Sequence, residues 1–337
     1  MALHDRLLQA LQSVADVSLV ARLQDDRLSF PKDTDLRVFV PDLHLVSEKA
    51  SKRYSYGTNL IDLLTKTARG LRSLRAQKTD VEEIAVYQMG DFLDLWREAG
   101  PSAGSDDASR IKDDNASLVT ALLHQDLKAR FLLGNHDIDL ARWPSYRAWD
   151  RRYYLPFDGT PTVILLHGDA FDWVEKFPDE VNSFFVYLFG PLASPNDYGL
   201  DEMRKLAKKS HRNRKYLQSI QQPTGAPLDA LADTARGLPA SPFNVHEGGH
   251  EFLDAAADTC AKASRQYGLN LRLAVIGHTH HARLATRTDS NGGLFTLMDC
   301  GAWIENCVFP DGTVLPNAQI GALSANEIRL YQLGPKA

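Results

Sequence analysis

Leu3, Leu7, Leu8, Leu11 and Val14 return at helical spacing, which predicts an amphipathic helix docked on the body by its apolar face. Leu36 to Val40 is a short apolar run that stops at Pro41 and reads as a buried strand. Leu60, Leu63, Leu64, Ala68, Leu71 and Leu74 then recur every 3.6 residues, predicting a second helix. The alternation continues with a strand over Ile84 to Met89, a helix over Ala116 to Leu127 and a strand over Arg130 to Leu133. Further strands are predicted over Val163 to Leu166 and Leu271 to Ile276. Arg283 to Thr288 and Leu294 to Met298 flank the turn signal Asp289-Ser290-Asn291-Gly292-Gly293 and predict a hairpin. Glu327 to Leu333 is the last strand, and the chain carries no internal repeat.

The strand–helix rhythm breaks between residues 172 and 249, which divides the chain into a core (1–171 and 250–337) and a helical insertion or lid. The insertion carries a Pro/Gly-rich stretch from Gln222 to Pro242. Its basic run, Arg204 to Lys215, reads as a solvated helix face or as an anion-facing lid. The apolar run from Phe184 to Leu192 reads as packing within the insertion or as an acyl-chain groove. It is too short for a membrane span, which needs about 20 residues.

Composition narrows the class. With 44% apolar and 24% charged residues among 337, this is the profile of a globular enzyme rather than a disordered or fibrous chain. A net charge of −5 does not mark a nucleic-acid binder. His4, Asp5, Arg6 and Asp16 spoil any export signal in the first residues, and three scattered cysteines (Cys260, Cys300, Cys307) suit a reducing compartment. The expectation is a cytoplasmic protein, at most peripheral to a membrane.

The polar chemistry gathers where strands stop. Asp42-x-His44, Gly90-Asp91-x-x-Asp94, Gly134-Asn135-His136-Asp137, His167-Gly168-Asp169 and Gly277-His278-x-His280-His281 each come directly after a predicted strand. In open α/β sheets ligands collect beyond the carboxyl ends of strands. His, Asp and Asn without thiolate suit borderline divalent metals such as Mn, Fe, Zn or Ni. Residues i and i+2 of an extended segment point to one face, so Asp42 with His44, and His278 with His280, are expected to reach one site. Asp91, placed centrally, can bridge two cations. Two divalent ions against Asp42, Asp91 and a bridging hydroxide leave about +1, a charge that attracts a phosphate.

These five clusters, in this order over residues 36–282, resemble the motifs of the calcineurin-like metallophosphoesterases. That resemblance implies a four-layer α/β/β/α sandwich of two mixed sheets with the helical insertion added. It also implies two divalent ions, with manganese favoured. Asp42, His44, Asp91 and His280 would hold one; Asp91, Asn135, His167 and His278 would hold the other. A metal-bound hydroxide would be the nucleophile. His136 would bind phosphate and act as general acid, with Asp94 orienting its ring, and Asn135 and His136 would contact substrate; His281, next to His280 along the chain, is read from the sequence itself as a further substrate contact. Read as residues alone, His136 could be a supporting structural histidine, Asp94 a helix N-cap and His281 an exposed side chain.

Asp-Leu-His-Leu at 42–45, Trp96, His167-Gly168-Asp169 and Gly301-Ala302-Trp303 are similar to the UDP-2,3-diacylglucosamine pyrophosphatases. That implies a nucleotide-sugar or lipid-linked diphosphate substrate, although His136 stands where that subgroup carries Arg. The rival readings are a nuclease, a phosphoprotein phosphatase (disfavoured by Leu95 and Trp96 in place of Arg-Gly) and a non-catalytic scaffold of the same fold.

Overall fold

The computed structural model describes residues 3–28, 35–50, 58–76, 84–98, 103–146, 148–150, 152–155, 162–169, 171, 249–289, 292–304 and 318–336. The insertion with its basic run, apolar run and Pro/Gly-rich stretch lies outside the described residues, as does Cys307.

Two mixed sheets organise the described core. The first has the order β1 (Asp16–Gln24), β11 (Glu327–Gly334), β10 (Gln319–Ser324), β2 (Leu36–Val40), β3 (Ile84–Gln88), β4 (Arg130–Phe131). The second has the order β5 (Arg152–Leu155), β6 (Val163–Leu166), β7 (Leu273–Ile276), β9 (Leu294–Asp299), β8 (Arg283–Thr288). The first sheet carries its parallel strands, β2–β3–β4, at one end with antiparallel β10, β11 and β1 on the other side, whereas the second has a parallel centre, β6–β7–β9, flanked by antiparallel β5 and β8.

The period-2 alternation of side chains sorts the strand residues into layers. Phe39, Ala85, Tyr87, Val163, Leu165, Leu273, Val275 and Met298 meet in one buried cluster that lies between the sheets. The intervening residues of the first sheet, Leu36, Val38, Val40, Ile84 and Val86, pack instead with Leu7 and Leu11 of α1 (Leu3–Gln12) and Leu64 and Leu71 of α2 (Thr58–Ala76). Leu118 and Leu122 of α5 (Ala116–Leu122) join that layer, as do Ala108 and Ile111 of α4 (Ser105–Asp114). On the other side Ile164, Leu166, Ala274 and Ile276 meet Leu253, Ala256, Ala257 and Cys260 of α6 (Gly249–Tyr267). The result is a helix–sheet–sheet–helix arrangement. Strands at its centre are largely apolar on both faces because both faces are covered, which is why they read as apolar runs interrupted only by residues such as Arg37 and Gln88. Among the described residues no helix is long and apolar enough to cross a membrane.

Several boundaries shift for identifiable reasons. The helix expected to reach Leu127 stops at Leu122; Leu123 is exposed, and a turn brings Leu127 back into the core. The apolar period therefore outlasts the helix. The strand expected over Arg130–Leu133 keeps only two residues in the ladder, because Leu133 N–H turns to the Asp150 carbonyl at 2.7 Å. β1, β5 and β10 were not legible. β1 is an edge strand with a register shift at Leu19/Ala21 and with Leu19 and Val20 exposed, so clean alternation is lost. The hairpin closes as its turn chemistry requires: the Asp289 N–H donates to the Gly293 carbonyl at 2.7 Å, and the Asp289 carboxylate accepts the Gly293 N–H at 2.9 Å.

The α1 helix is docked as its apolar face demands, and His4 adds a pH-dependent contact. Its Nε2–H donates to the Glu327 carbonyl at 3.1 Å, while Nδ1 is buried with no hydrogen-bond partner. Burial therefore holds this imidazole below its ordinary 6.5, outweighing the pull of the Glu327 carbonyl. A folded pKa below the unfolded one means the stabilisation is complete above about 6.5 and is lost as pH falls further. Between pH 7 and pH 5 the melting temperature of wild type is expected to drop more than that of His4→Gln. Parallel pH–melting curves for the two proteins would refute this.

Candidate metal centre

The parallel strands of both sheets stop side by side, and the residues after them face one another. Asp42 forms an isolated parallel bridge with Ala302, and its carbonyl accepts the Trp303 N–H at 2.8 Å. Gly277 N–H donates to the His167 carbonyl at 3.0 Å, and His44 N–H to the Asp91 carbonyl at 2.7 Å. The loops are thus stitched together by backbone before any side chain is considered.

Two of these loops approach so closely that only glycine fits. A β-carbon on Gly134 would sit 2.7 Å from Asp91 Cγ and collide with its carboxylate oxygen. One on Gly277 would collide with Asp42 Oδ1. The loops are also strained. Of the seven non-glycine residues with positive φ among those described, four are His44 (47°), Asp91 (49°), His278 (69°) and His280 (60°). Left-handed backbone costs such residues about 1–3 kcal/mol each and persists where the surroundings impose it, typically at functional sites. This corrects the expectation that extended i, i+2 geometry aligns Asp42 with His44 and His278 with His280. These stretches are kinked, and the kinks aim the side chains.

The side chains converge in a buried cluster. Three overlapping groups have ligand-capable atoms within 4.8 Å of one another: Asp42, His44 and His280; Asp42, Asp91 and His167; and His44, Asp91 and His136. His280 Nε2 is 3.3 Å from Asp42 Oδ2 and 3.0 Å from His44 Nε2. His167 Nε2 is 3.1 Å from Asp91 Oδ2 and 3.0 Å from Asn135 Oδ1. Asp91 is central: Oδ1 accepts the His136 N–H at 2.8 Å, and Oδ2 also lies 3.5 Å from His44 Nε2.

Supporting contacts fix the rings. His167 Nδ1 donates to the Met89 carbonyl at 3.0 Å, so Nε2 is the atom turned into the cluster. Asp94, fully buried, spans two histidines: Oδ2 takes His44 Nδ1 at 2.9 Å and Oδ1 takes His136 Nδ1 at 2.8 Å. Its carboxylate is thus engaged with these imidazoles, although it also precedes the short helix α3 (Leu95–Glu98), where an N-cap was the alternative. The second engagement, on His44, has no counterpart in the sequence pattern. His278 turns its N–H to Asp42 Oδ2 at 2.8 Å and sets its ring edge-on to His167 with centroids 5.0 Å apart, outside the three clustered groups. His281 is half-buried rather than exposed, its N–H donated to Thr279 Oγ1 at 3.2 Å.

Electrostatics reflect this crowding. Desolvation drives His44 down to about 4, with His136 adding to that effect, and the pull of Asp91 and Asp94 does not recover it. His167 suffers the same desolvation but stands between Asp91 and Asp42, which hold it up to about 10. Asp91, opposed by burial yet surrounded by His167, His136 and His44, is held well below the carboxylate range. Asp137 is raised to about 7 by burial and by Asp91, although it accepts N–H bonds from Gly134, Phe92 and Leu93. It ties the Asp91 loop to the Asn135 loop.

The residues fit a pair of divalent cations. Asp42 Oδ1 is fully buried and accepts no hydrogen bond, with His167 Nδ1 at 3.7 Å beyond hydrogen-bond reach, a costly arrangement for a carboxylate oxygen unless a bound cation takes it. Two imidazole nitrogens 3.0 Å apart approximate the spacing of ligands on one ion, since bonds of ~2.0–2.1 Å place tetrahedral neighbours ~3.3 Å apart. The donors are nitrogen and oxygen only, which suits Mn, Fe, Zn or Ni.

Sequence reading missed Asp299, buried at the end of β9 and raised to about 7 mainly by burial. The signal was available, since it too ends a parallel strand that runs into the same region.

No protein-family model matches the chain, and no curated protein matches it. Among solved structures, a dimetal phosphatase from Danio rerio aligns over 87% of this chain and 96% of its own at 15% identity, with a TM-score of 0.36.

Proposed function

We propose that this chain is a metallophosphoesterase of the calcineurin-like kind, hydrolysing phosphoester or pyrophosphate bonds. The observation that carries the reading is the cluster in which Asp42 and Asp91 face His44, His167 and His280, with Asp42 Oδ1 accepting no hydrogen bond. Asp42, His44, Asp91 and His280 would hold one cation; Asp91, Asn135, His167 and His278 the other. When bound, the pair, with manganese favoured, offsets charge on phosphate oxygens and activates water for in-line attack.

The remaining steps belong to the chain. Asn135 and His136 share a loop whose backbone is fixed on Asp91 and Asp137, so a phosphate bound at this cluster would meet both side chains. His136 keeps its Nδ1–H on Asp94, which leaves Nε2 to carry the proton for the leaving oxygen. Its side chain is 17% exposed, against 2% or less for His44 and His167, so among these three it is the ring that substrate can reach. A nucleotide-sugar or lipid-linked diphosphate is the substrate class we favour, on the likeness of residues 42–45, 167–169 and 301–303 to the diacylglucosamine pyrophosphatases. We place the protein in the cytoplasm, with residues 172–249 as the helical insertion or lid that the sequence suggests and His281 as a substrate contact.

Metal removal tests this directly. Hydrolysis of a nitrophenyl phosphodiester is expected to fall to background after chelation and return with added Mn²⁺, and elemental analysis should find up to two ions per chain. Activity indifferent to chelator would defeat the proposal.

A further inference from the structure

The loop Gly277-His278-Thr279-His280-His281 contains two adjacent-but-one histidines in left-handed backbone, φ 69° and 60°. Neither conformation is intrinsically favourable, so something must hold both. The His278 N–H bond to Asp42 secures one end. The middle is secured by Thr279, whose hydroxyl donates to Asp299 Oδ2 and accepts the His281 N–H at 3.2 Å. Asp299 is itself immobilised. It is fully buried, pairs in register with Ile276 on one side and Arg283 on the other, and its Oδ1 accepts the Gly301 N–H at 3.1 Å. The carboxylate thus links β9 to the loop after β7, at the point where two imidazoles must be aimed.

We propose that Asp299 and Thr279 form a latch that positions His278 and His280 for metal binding, acting as positioning residues that touch neither cation nor substrate. The hydroxyl is needed because one atom must give a hydrogen bond to the carboxylate while receiving one from the backbone of His281. Valine has the shape of threonine and offers neither. Without the latch the strained loop relaxes toward ordinary backbone and withdraws its imidazoles from the Asp42–Asp91 cluster. This rests on the two-metal reading above, and its test separates the two.

The test is Mn²⁺ binding to the full-length protein by calorimetry, for wild type, Thr279→Val, Thr279→Ser and Leu11→Ala, with melting temperatures recorded in parallel. Thr279→Val is expected to weaken Mn²⁺ binding about 10-fold or more, the size seen when groups supporting metal ligands are lost. Its Mn²⁺-saturated kcat should change far less than its Mn²⁺ affinity. Thr279→Ser should bind like wild type. Leu11→Ala, a core truncation remote from the loop, should lower the melting temperature while leaving Mn²⁺ affinity unchanged. Wild-type affinity in Thr279→Val, or equal weakening in Thr279→Ser or Leu11→Ala, would overturn the latch. If Thr279→Val fails to fold, Asp299→Ala decides. It removes the acceptors of both the Thr279 O–H and the Gly301 N–H, so weakened binding supports the latch and unchanged binding overturns it. Wild type that binds no Mn²⁺ would remove the two-metal reading, and the latch with it.

Discussion

Asp91→Asn is expected to abolish Mn²⁺-dependent phosphodiester hydrolysis while leaving a folded protein. The carboxylate has one oxygen on the His136 N–H and the other 3.1 Å and 3.5 Å from the Nε2 atoms of His167 and His44. It faces all three of these histidines, and in the proposed centre it alone is shared by both cations. Asparagine keeps the shape, removes the negative charge and presents an NH2 group where a lone pair is needed. Loss of a group that merely supports a metal ligand costs 10–100-fold, so loss of this shared ligand should weaken Mn²⁺ binding by more than ~10²-fold, with activity declining in step. Calorimetric Mn²⁺ titration, steady-state hydrolysis and far-ultraviolet circular dichroism together make the measurement. A variant that binds Mn²⁺ and turns over like wild type would exclude Asp91 from the centre and take the dinuclear reading with it.

The second large effect is expected at His136, and it depends on the leaving group. General acid catalysis contributes typically 10²–10⁴-fold, and it matters most when the departing oxygen is a poor leaving group. His136→Asn should therefore slow hydrolysis of an alkyl phosphoester by about 10²-fold or more, and a nitrophenyl ester much less, because nitrophenolate leaves without a proton. Asp94→Asn should reproduce that pattern through the lost Nδ1 contact and also weaken Mn²⁺ binding, because its other oxygen holds His44. The combined phenotype separates Asp94 from His136, whose substitution should leave Mn²⁺ affinity close to wild type. Equal losses on both ester types for His136→Asn would point to phosphate binding and away from proton donation. Mn²⁺ affinity reduced as strongly as in Asp91→Asn would instead make His136 a ligand, a role its place beside His44 and Asp91 would also permit.

Much of this site was legible because its residues announce themselves locally. A buried parallel strand reads as an apolar run, and the residues just past its end lie at the carboxyl edge of the sheet. Asp42, Asp91, Asn135, His167 and His278 are all found that way. Asp299 obeys the same rule, coming directly after the strand predicted over Leu294 to Met298. The dual grip of Asp94 was half visible. The family resemblance implied an orienting carboxylate, but nothing local links it to His44, fifty residues earlier.

The sequence by itself determined the strand–helix order of the core, the chemical type of the donors and the glycines that let loops pass near carboxylates. Those are properties of short stretches, fixed by side-chain periodicity and by the absence of a β-carbon. Only the tertiary structure decided that the carboxyl ends of both sheets meet, that the ligand loops turn through left-handed backbone rather than run extended, and that Asp91 and Asp42 raise the pKa of His167 while desolvation lowers that of His44. Each of these arises from fields and packing contacts between residues some 40 to 240 positions apart, which no local pattern encodes.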